Sequence, residues 1–119
     1  MDALSYKALH VLGLFLVFTG LGGLMIQALT GTGDNRAARR LVGIAHGVGL
    51  LIVLVSGFGG LAKLQVGLPV WVWLKVAVWI VIGGVIVVIR RQPKLVGALW
   101  WVLPLLGAFA GYLAIFKPF

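Results

Sequence analysis

Cysteine is absent from this 119-residue sequence, which excludes disulfide exchange, iron–sulfur clusters and thiolate metal sites. Acid is nearly absent too: two Asp/Glu stand against ten Lys/Arg, for a formal charge of +8. The two acids are Asp2 and Asp34, so no carboxylate falls inside a long apolar run. That removes the membrane-embedded acid of a small multidrug exporter and the carboxylate bridges of a di-iron bundle. Charge of either sign is scarce, at 10% of residues, whereas 62% are hydrophobic. Soluble domains carry roughly 25% charged residues, so a water-soluble fold is excluded. The basic residues lie mostly between the apolar blocks, where they read as topology signals and headgroup contacts. No nucleic-acid partner is expected.

What is present is four apolar stretches, about 5–29, 41–61, 68–89 and 95–116. Each reaches the ~20 residues a helix needs to cross a ~30 Å hydrocarbon layer. The predicted fold is all-α, an integral membrane up-down four-helix bundle forming a single domain over 1–119, with no soluble domain. The first stretch is longer than a signal-peptide core and has no good cleavage site after it, so it reads as a retained helix. Gly31-Thr32-Gly33-Asp34-Asn35 is a turn cluster, with Asp34 or Asn35 as cap of the second helix. Pro69 is expected in the first turn of the third helix, and Pro93 stands similarly before the fourth. Lys7, Lys63 and Lys117 share one side; Arg36, Arg39, Arg40, Arg90, Arg91 and Lys94 share the other. The basic excess places the Arg-rich loops in the cytoplasm and both termini outside. Trp71 and Trp73 near one end of helix three, and Trp100 in helix four, suit an interfacial belt.

Glycine is abundant, at 18 residues, and small residues let membrane helices approach closely. Gly43-x-x-x-Gly47 and Gly107-x-x-x-Gly111 are expected as packing motifs within the chain. Helix one read at coiled-coil spacing groups His10 with Gly13, Val17, Gly20, Leu24 and Gln27, which turns His10 inward. On helix two, Gly49, Val53, Ser56, Gly57 and Gly60 line adjoining faces. Pro104, mid-span in helix four, frees the carbonyl of Trp100 and predicts a kink.

Ionisable groups within spans are costly and therefore informative. They are His10, His46 and Lys75, with Tyr6, Tyr112, Ser56 and Gln27 as lesser polar groups. From the ~1.5 Å rise per residue, His10 lies roughly 8 Å and Lys75 roughly 10 Å below the same membrane surface. His46 enters from the other side, roughly 14 Å from His10 along the normal. Two imidazoles on one haem iron must approach to about 4 Å, so a haem shared by His10 and His46 is not expected. Ligation by one His, or by His10 with Lys75 nearby, stays open. Trp71 and Trp79 flank Lys75 at i−4 and i+4, a spacing suited to a cation–π sandwich, against simple snorkelling of its ammonium. A neutral imidazole bonded to a backbone carbonyl is the structural alternative for His10.

Tyr6-Lys7-Ala8-Leu9-His10, Trp73-Leu74-Lys75 and the terminal Lys117-Pro118-Phe119 together resemble the oxygen-independent type of bacterial protoporphyrinogen oxidase. The family is one of small membrane proteins that associate with haem b. The resemblance implies that its functional His and Lys fall on His10 and Lys75, with His10 as ligand to haem iron. Where the family carries a His just before the Lys, this chain has Trp73 and Leu74. SirB-like and copper-resistance D-like four-helix proteins are similar in the same way. Two readings follow. One is a haem b- or porphyrin-associated redox protein, with His10 as axial ligand and Lys75 on a propionate or the second face. The other is a non-catalytic accessory subunit of a larger membrane complex, which would associate with other subunits or with itself. A small transporter has least support.

Overall fold

The computed structural model describes residues 1–116, and its regular structure there is entirely helical. Helix α1 spans Ala3–Thr30, α2 Arg36–Leu64, α3 Val70–Arg91 and α4 Val96–Phe116, with a 3₁₀ turn at Pro93–Leu95. All four are long and apolar enough to cross a membrane.

Local chemistry fixes the ends. The Asp2 carboxylate accepts from the Ser5 N–H at 2.7 Å and caps α1. At the other end Gly31 takes the left-handed conformation (φ 68°), and the Thr30 hydroxyl donates to the Ile26 carbonyl at 2.7 Å. Asn35, not Asp34, caps α2, its side chain accepting from the Ala38 N–H at 3.0 Å. Helix α2 thus begins at Arg36, five residues before its apolar stretch, because a capped turn of arginines is good helix regardless of hydropathy. At ~1.5 Å per residue its 29 residues reach about 43 Å, longer than a ~30 Å hydrocarbon layer is thick. The far end closes at Gln65 (φ 56°), where the Val66 N–H reaches back to the Leu61 carbonyl at 3.4 Å. Pro69 is the N-cap of α3 rather than a residue of its first turn. Pro93 opens the 3₁₀ turn, and α4 runs unbroken through Pro104.

The chain divides into two compact units, one over Met1–Gly67 and one from Leu68 onward. The first is the α1–α2 hairpin. Its seam follows alternating steps of three and four on both strands of the pair: Gly13, Val17, Gly20, Leu24 and Gln27 on α1; Val42, His46, Gly49 and Ser56 on α2. All nine are buried. Backbone meets backbone along it. A Cβ on Gly49 would lie 2.8 Å from the Gly13 carbonyl oxygen and 2.7 Å from the Val17 nitrogen; one on Gly20 would lie 2.9 Å from the His46 nitrogen. The expected Gly43-x-x-x-Gly47 motif is not part of this seam, since a Cβ on either residue meets nothing within 4 Å. Both occupy the neighbouring face of α2, which small-residue spacing alone does not distinguish. The same holds at Gly111 in α4.

The second unit is the α3–α4 hairpin. Val78, Ile82, Val85 and Ile89 form the buried stripe of α3; Val96, Leu103 and Leu113 are the buried positions of α4. Tyr112 and Phe116, one turn apart, stack at a centroid distance of 4.9 Å with a 35° tilt.

Candidate functional site

Toward the far end of the α1–α2 seam from the Arg36 turn, the small residues of α2 receive two rings from α1. The stretch Ser56-Gly57-Phe58-Gly59-Gly60 presents bare backbone at three of five positions. The Tyr6 ring lies directly on Gly59, where a Cβ would overlap its Cε1, and the Tyr6 Cβ passes 3.6 Å from a Cβ built on Gly60. One turn further along α1, the His10 ring lies on Gly57, 3.4 Å from the Cβ position at its Cε1.

Two polar contacts of His10 meet at one nitrogen. Nδ1 stands 3.1 Å from the Val53 carbonyl oxygen and 3.0 Å from Ser56 Oγ. A carbonyl oxygen can only accept, so Nδ1 carries the proton and donates to it. The Ser56 hydroxyl donates back along its own helix, to the Ile52 carbonyl at 2.5 Å, with the Val53 carbonyl further off at 3.3 Å. Its lone pairs are thereby turned toward His10. In this neutral tautomer the basic lone pair of the ring belongs to Nε2. The inward placement expected for His10 is therefore met in half-buried form, against α2.

His46 lies elsewhere in the same hairpin. It is 4% exposed, and its backbone nitrogen and Cβ form the floor beneath Gly20. Its role in the seam is close packing. Lys75 belongs to the second unit, half-buried on α3, with the buried Trp71 one turn before it and the half-buried Trp79 one turn after. The Lys117-Pro118-Phe119 run lies outside the described residues.

No group of three or more His, Asp or Glu capable of holding a metal ion exists among the described residues. Where a metal coordinated wholly by protein side chains needs several donors, a porphyrin iron brings four nitrogens of its own and needs only an axial ligand. His10 meets that smaller requirement: metal-bound imidazoles donate their second nitrogen to a carbonyl, carboxylate or water. Sequence reading noted Ser56 only as a lesser polar group; it offered a backbone carbonyl as the structural alternative for His10, and the bond to Val53 is of that kind, though the residue was not identified. The signal for Ser56 was its place on the face that also holds Gly49 and Val53. A backbone carbonyl leaves no mark in a sequence. The match to Gly57 and Gly59 required the register of the hairpin. No family model matches the chain, and neither a curated protein nor a solved structure matches it.

Proposed function

We propose that this chain is a haem b- or porphyrin-associated redox protein of the bacterial inner membrane, with His10 as axial ligand through Nε2. The supporting observation is the Nδ1–H bond to the Val53 carbonyl, which assigns the proton to one nitrogen and the coordinating lone pair to the other. Haem iron, when bound, supplies one-electron chemistry. The chain supplies the ligand, holds its ring against Gly57, and surrounds it with apolar helices. The four helices cross the membrane up and down, with the Arg36–Arg40 and Arg90–Lys94 ends in the cytoplasm and the termini outside, as the basic excess favours.

The test is an absorption spectrum of the protein purified in mild detergent from haem-supplied cells. A Soret band near one per chain, lost in His10→Ala while the variant still inserts, is expected. A flat visible spectrum from well-folded protein, or haem retained in His10→Ala, overturns the assignment. A second reading, an accessory subunit of a larger membrane complex, draws on the open face at Gly43 and Gly47, which permits close approach by a helix from outside the first hairpin. It predicts co-purification with partner subunits at native expression levels; a lone monodisperse species refutes it.

A further inference from the structure

We propose that Ser56 is the positioning residue for His10, holding the imidazole in the tautomer and at the ring angle that present Nε2 to a Lewis acid. The inference deepens the axial-ligand reading and rests on it for the Lewis acid, but the tautomer half stands on the hydrogen bonds alone.

Serine inside a membrane helix satisfies its own hydroxyl by donating to the carbonyl one turn back, and needs no other partner. Ser56 does this with Ile52, and could do it equally well on a lipid-facing surface. Instead it is 3% exposed and sits 3.0 Å from a nitrogen 46 residues away in the chain. Because its proton is committed to Ile52, the only thing Ser56 offers His10 is a lone pair, which selects a protonated Nδ1. The Val53 carbonyl selects the same proton from a second direction. One acceptor would leave the ring free to swing about a single bond. Two acceptors, with Gly57 beneath the ring face, define its plane. The arrangement gives the chain a lever on any metal at Nε2, since partners of the distal nitrogen orient the ligand and raise its basicity.

The test uses the full chain in detergent, labelled with ¹⁵N-histidine and free of haem, with His10 assigned by comparison with His10→Ala. The wild type is expected to show a protonated Nδ1 and an unprotonated Nε2 at His10. Ser56→Ala, which leaves the Val53 carbonyl as an acceptor, is expected to lower the share of the Nδ1-protonated form and shift the ring signals, and Ser56→Thr, which keeps the hydroxyl, to restore the wild-type signature. Helicity measured alongside confirms that both variants fold. A protonated Nε2 in the wild type, or unchanged shifts in Ser56→Ala, overturns the proposal whatever haem does. Titration with haem b then separates the two layers. A loss of affinity of roughly 10–100-fold in Ser56→Ala, recovered in Ser56→Thr, is the effect expected of a distal hydrogen-bond partner. Correct tautomers without haem binding in the wild type would sink the axial-ligand reading and leave Ser56 as keeper of the tautomer.

Discussion

Replacing Gly49 by alanine is the sharpest perturbation of the first hairpin. The new Cβ would stand 2.7 Å from the Val17 nitrogen and 2.8 Å from the Gly13 carbonyl oxygen, where ordinary contact begins at 3.4 Å. The shortfall is about 0.7 Å. Both obstacles are backbone atoms of α1, so no rotamer change relieves them, and the helix must retreat as a body. A gap of ~0.5–1 Å forfeits a quarter to a half of each dispersion contact it opens. Overpacking of this kind costs about 1–3 kcal/mol. Alanine recovers roughly 0.5–1 kcal/mol of helix propensity over glycine, which leaves a net destabilisation of up to about 2.5 kcal/mol. At Gly43 the same substitution meets nothing within 4 Å, so only the favourable term of roughly 0.5–1 kcal/mol acts. The two variants should therefore move in opposite directions. Unfolding in mixed micelles titrated with SDS and followed by helical circular dichroism measures both midpoints. Equal midpoints for Gly43→Ala and Gly49→Ala, or a reversed order, would refute the backbone-to-backbone seam.

Two further outcomes concern the helix ends. Asn35→Ala removes the acceptor of the Ala38 N–H and should cost about 1 kcal/mol, whereas Asp34→Ala, which caps nothing, should be near neutral in the same micelle assay. The Asp2 carboxylate is held below its ordinary value of 3.8 by the backbone N–H of Ser5. A depressed carboxylate pKa contributes stability that is full above 3.8 and is lost as pH falls through the lower, folded value. Acidification below that point should fray the first turn of α1, read as faster-than-intrinsic-trend exchange of the Ser5 amide; protection unchanged down to pH 2 would contradict the cap.

The four helices were legible because their apolar stretches are long, and the Gly13–Gln27 stripe of α1 because its spacing of three and four is regular and its residues are small. The start of α2 was not. Hydropathy reports where a helix is apolar, while Asn35 decides where it begins, and Arg36, Arg39 and Arg40 are helical without being apolar. Gly43-x-x-x-Gly47 falls outside the α1–α2 seam for a related reason: the spacing identifies one face of a helix but not what lies opposite it. The partners of His10 depend on which residue of α2 comes level with it, a property of the hairpin register. Ser56 could be suspected from its face; Val53 enters through its backbone, to which side-chain identity is nearly irrelevant.

The glycine seam also determines how the first hairpin can move. Gly49 is seated between Gly13 and Val17, and Gly20 rests on Val42 and His46, so each helix carries a notch that the other fills. The pair is geared. Sliding α1 along α2, or rolling it about its own axis, would force Val17 over the Gly49 backbone, with no flexible side chain to yield. A force applied at the His10 ring is therefore not absorbed by local rearrangement. It is carried along α1 toward its Thr30 end as displacement of a single stiff body, so the two ends of the hairpin are mechanically tied.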